Sequence, residues 1–231
     1  MEGFGPKIIL ELPGGILITE TVVNTWIIMV LLSIFSIIAT RRLEKVPRGL
    51  QNVIELLVDG INKLTIQTMG EDKKSFAPYI GTLLLFIACA NLAGLFGLRP
   101  PTADINTTLG LALMTFCLIH GNGMRRKGVL TYLKGFTQPI PVMLPLNIIS
   151  EIATPISLSF RLFGNITGGL IMMSLFYSAL AAFSTKLGIN IPVLQAAIPS
   201  VFHLYFDLFA GILQSFIFSM LTMVFVSGAM D

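Results

Sequence analysis

The alternation of apolar and polar segments along the chain predicts six helices. Five are apolar runs at residues 22–39, 77–98, 107–123, 146–183 and 191–226. A bilayer core of about 30 Å is spanned by about 20 helical residues, so these runs are predicted to be membrane helices. The last two are longer than that thickness requires. They are therefore predicted to tilt strongly or to lie nearly along the membrane plane.

Residues 47–69 follow a different pattern. Leu50, Ile54 and Leu57 recur at helical spacing, with charged residues between them, and Pro47 suits the start of a helix. This amphipathic pattern is too polar to span a bilayer and predicts a helix lying at the membrane interface. A helix packed on its own protein is the alternative.

Composition supports a membrane protein. Hydrophobic residues make up 54% of the 231 and charged residues 12%, whereas soluble domains have about 45–50% and about 25%. We therefore predict an all-α, polytopic protein forming one membrane domain over residues 1–231. Cys89 and Cys117 lie in apolar runs, so neither a disulfide nor a metal site is expected.

The basic residues predict the orientation. With five crossings, both basic segments fall on one side, which the positive-inside rule places in the cytoplasm. The N-terminus is then outside and Asp231 inside. The segments contain Arg41, Arg42, Lys45, Arg48, Lys63, Lys73, Lys74, Arg125, Arg126, Lys127 and Lys134.

Arg161 lies near the middle of an apolar run. An arginine stays protonated at physiological pH and is costly at membrane depth, so such residues tend to be functional. At about 100° per residue, small and polar residues share its side of the helix. The members of this stripe are Asn147, Ser150, Thr154, Ser157, Arg161, Asn165 and Gly168.

A second stripe on the last run contains His203, Asp207, Gly211 and Gln214. Together the two stripes could form a wet path or a buried polar seam. Simpler interpretations stay open: an ordinary core histidine, a Gln214 that only bridges helices, or a structural pair between Asp207 and Arg161.

Two further features lie near Arg161. Glycines at positions 164 and 168 permit close helix approach, either by the chain's own helices or by a foreign one. Glu151 lies about 15 Å from Arg161 along a helix, too far to pair with it. It is predicted to lie at the cytoplasmic end as an inner-channel residue.

These residues resemble a known family. Residues 157–165, SLSFRLFGN, look like the signature of subunit a of the rotary F-type ATP synthase. Residues 213–222, LQSFIFSMLT, resemble the last helix of that family. Residues 91–95 and 102–109 match earlier blocks in order. The short N-terminus resembles a bacterial version.

The resemblance implies two half-channels joined only through a rotating ring of c subunits, each with an ion-binding carboxylate. Arg161 matches the essential arginine, which would ionise that carboxylate and block a leak. Asn165 and Gln214 match positions that support the arginine by hydrogen bonding. Asp207 matches an outer-channel position, and Asp104 and Asn106 match polar residues near the outer opening.

Two departures from the family pattern concern the outer half-channel. Leu170 stands where many proton-translocating relatives have glutamate. His203 comes one turn before their usual histidine position. The outer half-channel then has Asp207 and His203 for ion access. Either protons or sodium therefore stays open as the coupling ion.

We therefore expect a non-catalytic, ion-translocating stator subunit. The sequence contains no G-x-x-x-x-G-K-[ST] loop, so nucleotide chemistry belongs to partner subunits. The implied partners are the c ring, the subunit b stalk, the lipid bilayer and, indirectly, F1; no cofactor or nucleic acid is expected. The rivals are a secondary transporter binding an anion at Arg161 and a purely structural membrane subunit.

Overall fold

The computed structural model describes residues 5–13, 15–41, 44–46, 48–137, 140–186, 199 and 202–231. The helix start predicted at Pro47, the basic residue Arg42, the loop at 188–190 and residues 191–198 of the last predicted span lie outside the described residues.

Seven α-helices make up most of the described residues. Their bounds are α1 Glu20–Thr40, α2 Leu50–Met69, α3 Ala77–Leu92, α4 Ile105–Lys127, α5 Val129–Gly135, α6 Leu144–Lys186 and α7 Ala210–Met230. Short 3₁₀ turns precede α3, α4 and α6, and a π-helical segment, Leu204–Phe209, leads into α7. The all-α prediction is confirmed.

A two-stranded hairpin before α1 was not predicted. Strand β1, Ile8–Leu12, pairs antiparallel with β2, Ile16–Thr19, and Gly15 takes a positive φ of 78° at the turn. Short apolar runs on either side of a glycine pair are a hairpin signal. This signal was missed because the rest of the chain follows a helical pattern.

Four described helical segments are long and apolar enough to cross a membrane. They are Glu20–Thr40, Glu71–Phe96, Pro141–Thr185 and Leu204–Met230. The protein is therefore polytopic. The predicted span 107–123 lies on α4, which is 23 residues long but too polar to join this set. Helix α4 packs along α6 and α7. This packing does not test whether α4 crosses the bilayer, so the fifth crossing stays a prediction.

Helix α6 is the longest element. Its 43 residues correspond to about 65 Å, more than twice the bilayer core, and it contains Pro155. Helix α4 begins at Ile105, directly after Asp104, whose side chain accepts a hydrogen bond from the Asn106 N–H as an N-cap. The local sequence therefore explains where α4 begins.

The core lies where α3, α4, α6 and α7 meet. One apolar cluster there combines Leu83 and Ile87 of α3 with residues of the other three helices: Ala112, Leu158, Leu162 and Phe218. A second cluster joins α2 to α3, α4 and α7, and a third packs α1 on α3. This packing fixes which side of α6 is covered.

Side-chain contacts show how the helix ends are arranged. At one end, the Thr21 hydroxyl donates to Asp104 and the Asn91 amide donates to the Gly211 carbonyl. At the other end, the Lys73 ammonium binds the Asp231 carboxylate. We refer to these as the Asp104 end and the Lys73 end. Successive long helices run in alternating directions between them.

Candidate functional site

Arg161 lies on a face of α6 that the described residues leave uncovered. Leu158 and Leu162, which lie to one side of it around the helix, are buried, whereas Arg161 and Asn165 are exposed. Among the described residues, the Arg161 side chain makes no ion pair or hydrogen bond. The arginine is therefore available to a group that the described residues do not supply.

The glycines beside Arg161 face open space. A Cβ built on Gly164 or Gly168 would meet no atom within 4 Å, whereas one on Gly169 would lie 3.6 Å from Phe206. The first two glycines are therefore not used for packing within the described chain. Of the two interpretations of these glycines, the approach of a foreign helix is the one this geometry favours.

The same face of α6 lines a cleft nearer its start. The cleft has a volume of about 730 Å³, and its α6 residues include Asn147, Ser150, Glu151 and Thr154. Helices α4, α5 and α7 supply the other walls. A polar site of this size is large enough to hold several water molecules. The stripe thus begins in a polar cleft and continues onto the exposed face around Arg161.

Glu151, which lines the cleft, also lies near a histidine. The His120 Nε2 atom of α4 lies 3.7 Å from the Glu151 Oε2 atom, and His120 Nδ1 lies 2.8 Å from the Tyr132 hydroxyl. The longer distance allows ionic attraction but exceeds a hydrogen bond. Sequence reasoning missed both His120 and Tyr132, although His120 is one of only two histidines in the chain.

Tyr132 is held in its neutral form. Burial raises the pKa of its phenol above the usual 10.0, and the nearby negative charge of Glu151 raises it further. The Tyr132 hydroxyl therefore keeps its proton throughout the physiological range, and it can donate to or accept from His120.

The second stripe makes its contacts elsewhere. His203 Nδ1 lies 2.5 Å from Asp207 Oδ2, and His203 Nε2 lies 3.1 Å from the Tyr177 hydroxyl. At about 100° per residue, Tyr177 is about 160° around α6 from Arg161. The described residues therefore form neither the polar seam between the two stripes nor the Arg161–Asp207 pair that sequence reasoning considered.

Asp207 lies in the π-helical segment before α7. The Ala210 N–H bonds to the Tyr205 carbonyl, five residues back, as in a π-helix. A Cβ built on Gly94 would lie 3.8 Å from the Asp207 carboxylate, which places Asp207 next to the end of α3. Single π turns often occur at functional sites because they redirect side chains.

The predicted outer residues have unequal environments. Asp104 is 7% exposed and accepts hydrogen bonds from the Thr21 hydroxyl and the Asn106 N–H. Nearby, the Thr102 hydroxyl donates to the Asn91 amide oxygen. The Asn106 side chain is exposed. Asp104 therefore joins α1 to the start of α4, and its bond to Thr21 is a contact that sequence reasoning did not anticipate.

Gln214 is 5% exposed, and its Nε2 atom has no hydrogen-bond partner among the described residues. The described chain contains no hydrogen bond from Arg161 to either Gln214 or Asn165. The supporting roles that the resemblance implies for these two residues stay predictions. A buried, unpaired amide on α7 is nevertheless costly unless something binds it.

Comparisons with known proteins decide the family. The family model described as ATP synthase A chain matches residues 22–227. The chain belongs to the ATP synthase A chain family. It is thus an ion-translocating stator subunit of an F-type ATP synthase, in a bacterial cell membrane. The prediction from the arginine motif is confirmed, and the transporter and purely structural alternatives are not adopted.

Individual bacterial relatives cover most of the chain. It is 38% identical to the sodium ion specific ATP synthase subunit a of Propionigenium modestum, over 95% of this chain and 78% of the relative. It is 38% identical to ATP synthase subunit a of Trichlorobacter lovleyi, covering 92% and 87% of the two chains. For Moorella thermoacetica the identity is 36%, covering 93% and 92%.

Proposed function

We propose that the uncovered face of α6 is the surface on which a ring of c subunits turns. The observation that carries this proposal is the position of Arg161, which is exposed on an apolar helix without a partner among the described residues. Phe160, next to it along the helix, is also exposed. An apolar face with one cation complements a helix that is apolar apart from one carboxylate.

Arg161 would act through its fixed charge. Attraction between unit charges about 4 Å apart amounts to about 4 kcal/mol at an effective dielectric constant near 20. That is enough to shift a ring carboxylate into its ionised form and release its bound cation. The same charge would repel free cations, so ions would cross only on the ring.

The two ends of the bundle supply separate access paths in this proposal. The Glu151 cleft opens at the end that contains Lys127, in one of the two basic segments. The positive-inside rule makes this the cytoplasmic end, with the N-terminus outside and Asp231 inside. Asp207 and His203 then belong to the outer path, with Asp104 and Asn106 near its opening.

The finer assignments follow from these positions. Glu151 attracts cations into the inner path, and Asn165 and Gln214 orient the arginine or the ring carboxylate when the ring is present. The partners are the c ring, the subunit b stalk and, through them, F1. The coupling ion is the proton or sodium; the relative from Propionigenium modestum is described as sodium ion specific.

The test uses the whole complex in membrane vesicles. ATP synthesis is driven first by an imposed proton gradient and then by an imposed sodium gradient. The gradient that drives synthesis identifies the coupling ion. Arg161→Ala should abolish synthesis. Lys63→Ala is the matched control, because Lys63 is an exposed cation on α2, away from this face. Synthesis that survives in Arg161→Ala would overturn the proposal.

A further inference from the structure

His120 has an unusual environment for a histidine at the end of a helix bundle. Its side chain is 16% exposed, and its Nε2 atom is buried without a hydrogen-bond partner, aimed at Glu151 from 3.7 Å. The Phe116 ring lies edge-on at 4.0 Å between centroids, and Phe136 lies on another side. The imidazole is thus held in place with one nitrogen directed to the cleft.

The charged and titratable groups around His120 are few. Helix α5 contributes Tyr132, α6 contributes Glu151, and α4 itself contributes Lys127 farther along the cleft. The α7 wall consists of Val224, Phe225, Gly228 and Ala229, none of which titrates. Glu151 is therefore the carboxylate that a change in the charge of His120 would affect most directly.

We propose that His120 is a further ion-handling residue of this protein, which exchanges a proton with Glu151 and thereby controls the charge balance in the cleft. This inference rests on the proposed role of the cleft as the inner access path. It adds a residue that neither the motif nor the stripe singled out, and it makes ion access sensitive to the pH of the inner compartment.

The hydrogen bonds show how this could work. A neutral His120 can donate its Nδ1–H to the Tyr132 hydroxyl oxygen, which leaves the Nε2 lone pair facing Glu151. At 3.7 Å the two groups are not hydrogen-bonded, so the Glu151 side chain must first move closer to Nε2. A proton bound to its carboxylate oxygen then passes to Nε2: the O–H bond breaks, an N–H bond forms, and a carboxylate and an imidazolium remain. The Tyr132 hydrogen bond is unchanged by the transfer.

The consequence is a pH-dependent field in the cleft. When His120 is neutral, the Glu151 charge is uncompensated and attracts cations. When His120 is protonated, the adjacent imidazolium cancels much of that attraction.

The experiment measures ion conductance through the membrane sector. Inverted vesicles stripped of F1 place the cleft side towards the bath, and a potassium diffusion potential drives the coupling ion. The conductance of His120→Gln is divided by that of wild type at each bath pH, since this ratio cancels the direct effect of pH on ion supply. We expect a ratio near one at bath pH values where His120 is neutral, rising to roughly fivefold where it is protonated, as for one unit charge at about 4 Å in water.

Two further variants make the test decisive. In a Glu151→Gln background, His120→Gln should leave the ratio flat, because no carboxylate charge remains to compensate. Tyr132→Phe removes the hydroxyl but keeps the ring, and should move the midpoint of the pH step without abolishing it. This variant gives an answer even if His120→Gln prevents assembly.

The inference is overturned if both His120→Gln and Tyr132→Phe leave the pH profile at that of wild type. Its failure is distinguishable from failure of the proposed function. If Arg161→Ala still abolishes coupled synthesis while the His120 profile is unchanged, then the stator mechanism stands and His120 is only structural.

Discussion

Two cations in membrane-spanning helices of this protein have opposite environments. Lys73 is 4% exposed, and its ammonium binds the Asp231 carboxylate and the Ser227 hydroxyl. Arg161 is exposed and makes no ion pair or hydrogen bond among the described residues. Lys73 therefore fastens the start of α3 to the end of α7, whereas Arg161 contributes nothing comparable to the fold.

This difference gives a criterion for distinguishing structural charges from functional ones. A charge that stabilises a fold is paired within the chain, because an unpaired ion in a low-dielectric setting is costly. A charge left unpaired at membrane depth needs a partner from outside the chain. The following predictions test this contrast, starting with the largest expected effect.

Arg161→Ala should reduce coupled ATP synthesis by about a hundredfold or more. A loss of this size corresponds to removing an attraction of several kcal/mol between a ring carboxylate and the arginine. The thermal unfolding midpoint of the isolated chain in detergent should stay near that of wild type, because no internal contact is lost. A large fall in the midpoint would show that Arg161 is a structural charge like Lys73.

Gly164→Leu should lower ATP synthesis at least about tenfold, because the added side chain projects from the face on which the ring is proposed to turn. Gly110→Leu is the matched control: a Cβ at Gly110 also meets no atom within 4 Å, but it lies on α4. Equal effects of the two changes on synthesis would contradict the placement of the ring on α6.

Glu151→Gln should slow ion flux through the membrane sector several-fold without opening a leak. The change removes the negative charge that faces the cleft but leaves Arg161 in place to block direct passage. Flux is measured in vesicles stripped of F1, and the leak is measured in the intact complex. Unchanged flux would remove Glu151 from the inner path.

Lys73→Met should lower the unfolding midpoint by several degrees while leaving the coupling of the assembled complex intact. The variant keeps a long apolar stem in the buried site but loses the bonds to Ser227 and Asp231. Uncoupling without a loss of stability would show that Lys73 has an ion-handling role.

The smallest effect concerns Asp231. Its pKa is lowered from the ordinary 3.8, mainly because Lys73 donates a hydrogen bond to its carboxylate. A depressed folded-state pKa stabilises the fold above the ordinary value, and this stabilisation is lost as the pH falls through the folded value. Asp231→Asn should therefore lower the unfolding midpoint slightly at pH 7, and the difference from wild type should shrink as the pH falls below the ordinary 3.8. A difference that is constant with pH would contradict this.

Much of the site could be predicted because its signals are local. Arg161 stands out as one cation in an apolar run, and the residues around it match a specific motif. The stripe that begins at Asn147 could be read from helical periodicity alone. Glu151 could be assigned to the inner end from its distance along the same helix. Each of these inferences needs only one helix.

The missed residues act through contacts between helices. His120 becomes significant only because α4, α5 and α6 bring Tyr132 and Glu151 to its two ring nitrogens. Asp104 looks like a channel residue in the sequence, yet the structure shows it bound to Thr21, far away along the chain. No periodicity within one helix reports such a pairing.

By itself, the sequence determined that this is a polytopic helical membrane protein, which family it belongs to, and which arginine is exceptional. These properties depend on hydrophobicity, periodicity and short motifs, all of which are local. Only the tertiary structure decided that Arg161 is exposed without a partner among the described residues, that Lys73 is bound to α7, and that His120 lies beside Glu151 of the cleft. Those facts depend on which sides of the helices pack together, and packing is set by side chains distant in sequence.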